Sequence, residues 1–257
     1  MGNTNESVVV PAPKRKRKHR PSVAIGLWII KRLEKAIRHY SASTVGNTPF
    51  FDPRMFPWAP KLEANWETVR KELDQVLKNQ DRIPNFQDIS KDQKNLTQDD
   101  RWKTFFLYGY GYKMEGNCAL CPETTKLVES VPGMYTAFFS VLAPGKHIPP
   151  HRGPYNGLLR AHLGLIVPEP KEKCRIQVGD QTQHWETGKC MVFDDTYRHQ
   201  VWNDTDGTRV VLFLDIKRPL AWPGSLLNRI ILQLIRWSPY IQDARRNHRA
   251  WEQGLER

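Results

Sequence analysis

Two histidines and two arginines in the central part of this chain have the residue types and spacing of a ligand-binding site. His151 and His199 lie 48 residues apart, and Arg160 and Arg209 follow them by nine and ten residues. Neutral imidazole is a common ligand of divalent metals, and a guanidinium offers a fork that matches both oxygens of a carboxylate. These four side chains therefore indicate a site for a divalent metal and a dicarboxylate.

Alternation of apolar and polar residues predicts β-strands around this site. In the run LLRAHLGL, the apolar residues Leu159, Ala161 and Leu163 alternate with Arg160 and His162. Successive side chains of a strand point to opposite faces of a sheet. Arg160 and His162 are thus predicted to share one face, while the apolar residues cover the other.

The segments that carry these residues resemble a known family. PGKHIPPHRGPYNGLLRAHLGLIVP and FDDTYRHQVWN are similar to motifs of the aspartyl/asparaginyl β-hydroxylase family of Fe(II)/2-oxoglutarate dioxygenases, and the resemblance extends over residues 49–219. Within this family, the chain resembles the bacterial branch that hydroxylates lipid A more than the animal enzymes that hydroxylate proteins. The segments that carry this likeness are PYNGLLRAHLGLIVP, CPETTKLVES and FFDPRMFPWAPKLEANW.

The resemblance implies an iron centre with two protein ligands. His151 and His199 match the metal histidines of the family, and we expect them on opposite strands of a barrel. Gly153 stands where many oxygenases of this kind carry an Asp or Glu ligand, and the family itself has glycine there. Fe(II) accepts imidazole ligands and must keep positions open for a keto acid and for dioxygen.

The resemblance also implies the residues that bind 2-oxoglutarate as cosubstrate. Arg209 and Ser140 match the pair that holds its distal carboxylate. Arg160 and His162 match the pair at the keto-acid end, close to the metal. Trp102 matches a position that lines the cavity for cosubstrate and substrate.

Structural alternatives remain open for several of these residues. A buried Arg160 is also explained by a salt bridge to Asp194 or Asp195. These two aspartates are either turn formers or partners of His199 in the surroundings of the metal. Trp102 has the simpler interpretation of a core residue, and His147, which two prolines separate from His151, is interpreted as a loop residue.

Strand signals dominate from residue 134 onward. The runs MYTAFFSVL, LLRAHLGLIV, KCRIQV, QTQHW, CMVFD, HQVW and RVVLFLDI are separated by Pro-Gly, Gly-Asp, Thr-Gly and Asp-Gly turn signals. Seven or eight short strands at this spacing predict a mainly β protein with flanking helices, built as a double-stranded β-helix or jelly-roll barrel. We predict this domain over residues 49–219.

Other elements are predicted to surround the barrel. A helix capped by Asn65 is expected from the helical spacing of apolar residues up to residue 77, and a second helix is expected over 122–130. Residues 79–100 are polar and predict a long surface loop. Residues 102–112 are aromatic and strand-like.

The net charge of +12 is concentrated at the two ends of the chain. Residues 1–40 contain ten Lys and Arg against two Glu, a net charge of +8, and residues 225–257 contain six Arg against three acidic residues, a net charge of +3. The middle of the chain is therefore nearly neutral at +1. This distribution predicts that the ends, rather than the catalytic body, meet an anionic surface.

The terminal segments support two interpretations each. Residues 1–22 form a predicted disordered basic tail, in which KRKRKHR is typical of lipid-binding or nucleic-acid-binding runs and also of a solvated charged tail. Residues 23–48 predict an amphipathic helix that either lies at a membrane surface or docks on the barrel, and residues 220–257 predict a basic amphipathic helix of similar composition.

Cysteine content and hydropathy indicate the compartment. Four cysteines are too few for a disulfide scaffold, and we expect Cys118 and Cys121 to be free thiols. No run of about 18 apolar residues and no cleavable signal are present, so we expect a cytoplasmic protein held peripherally on the inner face of the membrane.

Two classes of function follow from these observations. As an enzyme, the protein would use Fe(II), 2-oxoglutarate and dioxygen to hydroxylate a C–H bond, in a fatty acyl chain of lipid A or a related membrane lipid, or alternatively in a protein Asp or Asn side chain. As a non-catalytic jelly-roll module it would use its basic ends to dock on nucleic acid. The presence of the complete ligand set, His151, His199, Arg160 and Arg209, favours the enzyme and argues against nucleic acid as a partner.

Overall fold

A computed structural model describes residues 44–89 and 96–255 of the chain. The described residues contain eleven strands: β1 Phe50–Phe51, β2 Trp102–Gly109, β3 Tyr112–Lys113, β4 Met134–Leu142, β5 Lys146–His151, β6 Leu158–Ile166, β7 Cys174–Val178, β8 Gln181–His184, β9 Cys190–Phe193, β10 His199–Asn203 and β11 Arg209–Lys217. They also contain seven α-helices: α1 Ala59–Ala64, α2 Trp66–Leu77, α3 Phe86–Ile89, α4 Glu115–Leu120, α5 Pro122–Glu129, α6 Gly224–Trp237 and α7 Pro239–Leu255.

The strands form two antiparallel sheets that face each other. The larger sheet has the strand order β1-β9-β6-β11-β4-β2-β3, and the smaller one has the order β5-β10-β7-β8. From β4 onward the chain crosses repeatedly between the sheets, which is the connectivity of a double-stranded β-helix. The predicted mainly β jelly-roll with flanking helices is therefore confirmed.

Two buried clusters hold the layers together. One lies between the larger sheet and the outer helices and includes Leu73 of α2, Leu127 of α5 and Leu163 of β6. The other fills the space between the sheets and includes Phe138 and Phe213. Each such side chain contributes about 1.5–3 kcal/mol when it is removed from water.

The alternation along β6 has the predicted orientation. Leu159, Ala161 and Leu163 belong to the cluster beneath the outer helices. His162 lies on the other face and contacts the aromatic ring of Phe213 in the barrel interior. The face that carries Arg160 and His162 thus lines the interior of the barrel.

The helices predicted beside the barrel are present, with one difference in capping. The side-chain amide of Asn65 makes no cap hydrogen bond to α2 and instead donates to the backbone carbonyl of Lys61 at 2.8 Å. The capping interaction is made at α5, where the carboxylate of Glu72 accepts hydrogen bonds from the backbone N–H groups of Glu123 and Thr124. A carboxylate at a helix N-terminus stabilises the unpaired N–H groups there.

The segment predicted as a long surface loop over 79–100 contains local structure. A 3₁₀ turn spans Gln80–Arg82, and α3 follows. The ring of Phe86 packs against Trp102 with centroids 4.4 Å apart, and Ile89 joins the cluster between the sheets. Burial of these two apolar side chains outweighs the polar composition of the surrounding residues.

Strand β5 contains a sequence that local signals interpret as a loop. His147 was predicted in a loop but lies on β5, where its ring stacks on Trp202. Pro149 and Pro150 cannot donate to a ladder, and they occur at a register irregularity of a strand that has only one neighbour, β10. Prolines are tolerated at the edge of a sheet because the missing N–H would face solvent.

The two ends of the chain differ in what the structure describes. The predicted tail over 1–22 and most of the predicted helix over 23–48 lie outside the described residues. The predicted single helix over 220–257 is two helices, α6 and α7, with a break at Ser238 before Pro239. None of the helices in the described ranges is long and apolar enough to cross a membrane.

All four cysteines are free and buried. Cys118 donates its thiol to the backbone carbonyl of Leu107 at 3.3 Å, and burial raises the pKa of Cys121 to about 12. A thiol with a raised pKa is a poor nucleophile and a poor metal ligand. The prediction that Cys118 and Cys121 are free thiols is confirmed.

Candidate active site

Pairing of β5 with β10 places the two predicted metal histidines side by side. His151 ends β5, His199 begins β10, and the two residues are partners in the ladder. Their ring centroids lie 4.0 Å apart, with an angle of 53° between the planes. The histidines therefore lie on neighbouring strands of the smaller sheet, rather than on opposite strands as the sequence predicted.

Both imidazoles are oriented by backbone carbonyls. Nδ1 of His151 lies 2.8 Å from the carbonyl oxygen of Pro149, and Nδ1 of His199 lies 3.0 Å from that of Tyr197. Because a carbonyl only accepts, each Nδ1 carries the proton and each Nε2 keeps its lone pair. Burial, followed by the neighbouring His199, lowers the pKa of His151 to about 3, and burial followed by Arg160 lowers that of His199 to about 4. Both rings are thus neutral near pH 7, the form that binds metals.

The space beside Gly153 is filled by an aspartate. A Cβ atom on Gly153 would lie 2.1 Å from Oδ2 of Asp195, far inside van der Waals contact. No group of three or more His, Cys, Asp or Glu in the described ranges is arranged to hold a metal ion. A carboxylate ligand on residue 153 itself is therefore sterically excluded while Asp195 keeps its position.

Arg209 is a buried cation whose guanidinium lacks a counterion among the described residues. Its exposed fraction is 2%, and its Nε and Nη1 atoms have no hydrogen-bond partner in that part of the chain. The guanidinium lies 4.6 Å from the ring centroid of Trp185. Burial lowers the pKa of Arg209 to about 10, so the group stays charged at pH 7. A charge buried without a partner costs several kcal/mol, and an anionic ligand would offset that cost.

Ser140 lies on β4, the strand next to Arg209, and Trp102 lies one strand further, on β2. Arg209 and Trp102 are both ladder partners of Leu142, two residues beyond Ser140 on β4, so the three side chains share the inner face of the larger sheet. The indole N–H of Trp102 donates to Oγ of Ser140 at 3.1 Å. Since this bond uses the oxygen as acceptor, the hydroxyl proton of Ser140 remains available for a carboxylate.

His162 faces the same interior, and one of its ring nitrogens accepts a hydrogen bond from Trp185. The indole N–H of Trp185 donates to Nδ1 of His162 at 3.2 Å, which places the imidazole proton on Nε2. This Nε2–H is buried and has no hydrogen-bond partner in the described ranges. Burial, followed by Arg209 and Arg160, lowers the pKa of His162 well below its ordinary value. His162 is therefore a neutral donor that points into the site.

Arg160 is held by two carboxylates. Its guanidinium lies 2.9 Å from Oδ2 of Asp195 and 3.0 Å from Oδ1 of Asp215, and it covers the ring of Phe213 at 4.3 Å. Burial alone would lower the pKa of Arg160, but the two carboxylates raise it above its ordinary value. The salt-bridge alternative for Arg160 thus holds for Asp195, with Asp215 as a second partner.

Asp194 has a different role from its neighbour. Its Oδ1 accepts from the backbone N–H and the hydroxyl of Thr196, which forms the turn before β10, and its Oδ2 pairs with Arg218. Asp194 is therefore a turn former, and Asp195 is the aspartate that contacts the site.

Sequence reasoning missed two residues that shape this site. Trp185 contacts both Arg209 and His162, and Asp215 binds Arg160 from β11. Both contacts depend on which strands become neighbours, because the partners are 23 to 55 residues apart. No local signal distinguishes Trp185 from an ordinary core tryptophan.

The fold and the site define a jelly-roll protein with a paired-histidine centre and buried arginines in the barrel interior. Residues 63–219 match the family model described as aspartyl/asparaginyl beta-hydroxylase. This match covers more than half of the chain, so the protein belongs to that hydroxylase family, as the motifs predicted.

Relatives within the family act on two kinds of substrate. The chain is 50% identical over 208 residues to the ornithine lipid ester-linked acyl 2-hydroxylase of Rhizobium tropici, covering 81% of this chain and 74% of that protein. It is 33% identical over 181 residues to the human aspartyl/asparaginyl beta-hydroxylase, covering 65% of this chain and 23% of that protein. Human aspartate beta-hydroxylase domain-containing protein 2 is 34% identical over 62% of this chain and 44% of its own length.

We predict that His151→Ala or His199→Ala reduces activity to background, because each change removes one of two neighbouring imidazoles. The measurements are release of succinate and the iron content of the purified protein. His147→Ala is the matched control, since His147 lies exposed on the same strand and stacks on Trp202. A His151→Ala protein that retains stoichiometric iron and turns over would contradict the assignment.

We also predict that Gly153→Ala lowers stability by about 1–3 kcal/mol, because its Cβ would overlap the Asp195 carboxylate. Gly153→Asp is expected to lose activity as well, although it supplies a carboxylate. Thermal unfolding and succinate release report the two effects. In the Gly153→Ala/Asp195→Ala double variant the overlap is relieved, so its destabilisation should be smaller than the sum of the two single changes. Strictly additive effects would refute the steric argument.

Proposed function

We propose that the protein is an Fe(II)- and 2-oxoglutarate-dependent hydroxylase of an ester-linked acyl chain in a membrane lipid. The observation that supports the cosubstrate most directly is Arg209, a buried guanidinium that lacks a counterion among the described residues. A dicarboxylate fits this position because a guanidinium fork matches a carboxylate, and Ser140 offers a hydroxyl on the neighbouring strand.

The donor set fits an iron ion. His151 and His199 would hold it through their Nε2 atoms, which the Nδ1 contacts leave unprotonated. Two neutral imidazoles leave most of the coordination sphere to the cosubstrate and dioxygen, as oxygenase chemistry requires. The chemistry that iron would supply is oxidative decarboxylation of 2-oxoglutarate by dioxygen, which yields succinate and carbon dioxide and inserts the second oxygen atom into a substrate C–H bond.

The remaining residues of the site orient its arginines and His162. Trp185 covers the guanidinium of Arg209 and holds His162 in the tautomer that donates from Nε2. Asp195 and Asp215 hold Arg160 at the end of the site nearest the histidines, where it would meet the keto-acid end of the cosubstrate. Packing against Phe213 limits the motion of the same guanidinium.

The lipid substrate is supported by relationship and by surface chemistry. The relative that shares half of its residues with this chain is, by its name, a 2-hydroxylase of an ester-linked acyl chain. An apolar cleft between α3, β2 and α7 is lined by Phe86, Phe106, Met114 and Ile241. The ring of Phe106 also contacts Phe138, which stacks on Phe213 in the barrel interior. Such a wall suits a hydrocarbon chain better than an aspartyl or asparaginyl side chain.

We predict that Arg209→Ala raises the KM for 2-oxoglutarate by about 100-fold, with a smaller effect on kcat, because the carboxylate loses its buried charged partner. Arg209→Lys should rescue poorly, since lysine lacks the bidentate fork. Arg175→Ala is the control, because Arg175 also stacks on a tryptophan but pairs with Asp204 outside the site. An unchanged dependence on 2-oxoglutarate in Arg209→Ala would refute this role.

The substrate is tested by mass spectrometry of lipids from cells that express the wild-type chain or His151→Ala. We expect a lipid heavier by one oxygen atom only with the wild type, and release of a 2-hydroxy fatty acid on mild alkaline hydrolysis. An ornithine lipid and lipid A are distinguished by the head group of the changed species. An aspartyl or asparaginyl peptide that gains oxygen, with no change in any lipid, would favour protein hydroxylation instead.

A further inference from the structure

Helix α6 exposes a continuous apolar stripe. Leu226, Ile230, Leu234 and Trp237 have exposed fractions of 50%, 50%, 53% and 68%, and Trp222 just before the helix has 79%. At 100° per residue, the four helical side chains fall within an arc of about 80° around the helix axis, so they form one stripe along the helix. Apolar surface of this extent on a helix marks a contact with another apolar phase.

The stripe is not the face that holds α6 on the barrel. The opposite side of the helix buries Ile231 and Leu232, which pack with Tyr135 and Tyr155 in a separate cluster. The hydroxyl of Tyr135 donates to the backbone carbonyl of Leu232 at 2.6 Å. The helix is thus fixed by its inner face, and the outer stripe contributes nothing to that packing.

The segment that carries the stripe has basic side chains and no acidic ones. Residues 216–242 contain no Asp or Glu; of their four basic residues, Arg218 is buried and pairs with Asp194, and Lys217, Arg229 and Arg236 remain. Among them, Arg229 is exposed beside the stripe. The guanidinium groups of Arg236 and Arg245 both lie over the ring of Tyr112, at 4.3 and 4.2 Å from its centroid, and neither forms an ion pair with a described carboxylate. Two like charges in such proximity favour a phosphate or another anion nearby.

The stripe lies at the end of the barrel where the histidines are. Asn228 of α6 accepts a hydrogen bond from the hydroxyl of Tyr155 at 2.7 Å and donates to the carbonyl of Gly157 at 2.8 Å. Both partners belong to the connection that begins directly after His151. Arg209 lies at the far end of β11, where Leu142 is its ladder partner. A partner bound to the stripe would therefore lie nearer to the histidines than to Arg209.

We propose that the outer stripe of α6 docks on an anionic lipid bilayer and holds the end of the barrel that carries the histidines against the membrane surface. The inference rests on the proposed function, because a lipid substrate explains why this end should meet a bilayer. Tryptophans at both ends of an apolar stripe suit the interfacial region, where indole is favoured. The guanidinium pair over Tyr112 suits lipid phosphates, which a second copy of this basic surface would not supply.

The test is co-sedimentation of the full chain with vesicles of phosphatidylcholine and phosphatidylglycerol. Leu226→Glu/Leu234→Glu is expected to weaken binding by about ten-fold or more, because two apolar side chains are replaced by anions at an anionic surface. Leu120→Glu is the matched control, since Leu120 is 65% exposed on α4, outside the stripe. This control should bind as the wild type does, and pure phosphatidylcholine should bind the wild type less.

Separate measurements distinguish the competing outcomes. A double variant that binds vesicles as tightly as the wild type would overturn the inference. A double variant that loses thermal stability or changes its sedimentation coefficient without vesicles would also overturn it, since the stripe would then be covered by protein. His151→Ala should bind vesicles normally. If binding depends on the stripe while no lipid is hydroxylated, the proposed function fails and the docking surface stands.

Discussion

Burial of a guanidinium between two sheets is the constraint on which the interior of this protein depends. The charge of Arg209 destabilises the fold there unless it is compensated, because removing an ion from water costs several kcal/mol. The protein supplies part of the compensation through the face of Trp185 and leaves two guanidinium nitrogens without a partner in the described ranges. The same indole fixes the tautomer of His162, so one side chain contacts two hydrogen-bond donors of the barrel interior.

The barrel separates two electrostatic environments along its length. At one end, Arg209 is a cation without a counterion among the described residues. Near the histidines, Arg160 is paired with the carboxylates of Asp195 and Asp215. An asymmetric dicarboxylate would be oriented by this difference, with its distal carboxylate at the uncompensated cation. The neutral imidazoles of His151 and His199 avoid adding charge near Arg160, because burial lowers their pKa values.

Helix α6 differs from the other outer helices in the distribution of its apolar side chains. Helices on one side of the larger sheet close the protein with an apolar core, whereas α6 is apolar on both its inner and outer sides. The inner face of this helix is anchored to the barrel by Tyr135 and Tyr155. The outer face then remains available at the end of the barrel that carries the histidines.

Sequence by itself determined the strand pattern, the jelly-roll class, the family and the side of β6 that carries Arg160 and His162. These features depend on short-range alternation and on motifs, which are encoded within a few residues. Tertiary structure alone decided that HIPPH is an edge strand, that His151 and His199 are ladder neighbours, and that Asp215 and Trp185 complete the site. It also decided which side of α6 faces outward, because helical periodicity marks no boundary between two apolar faces. Pairing of distant strands creates these contacts, and the free energy that selects the pairing comes from burial of the whole core rather than from any local segment.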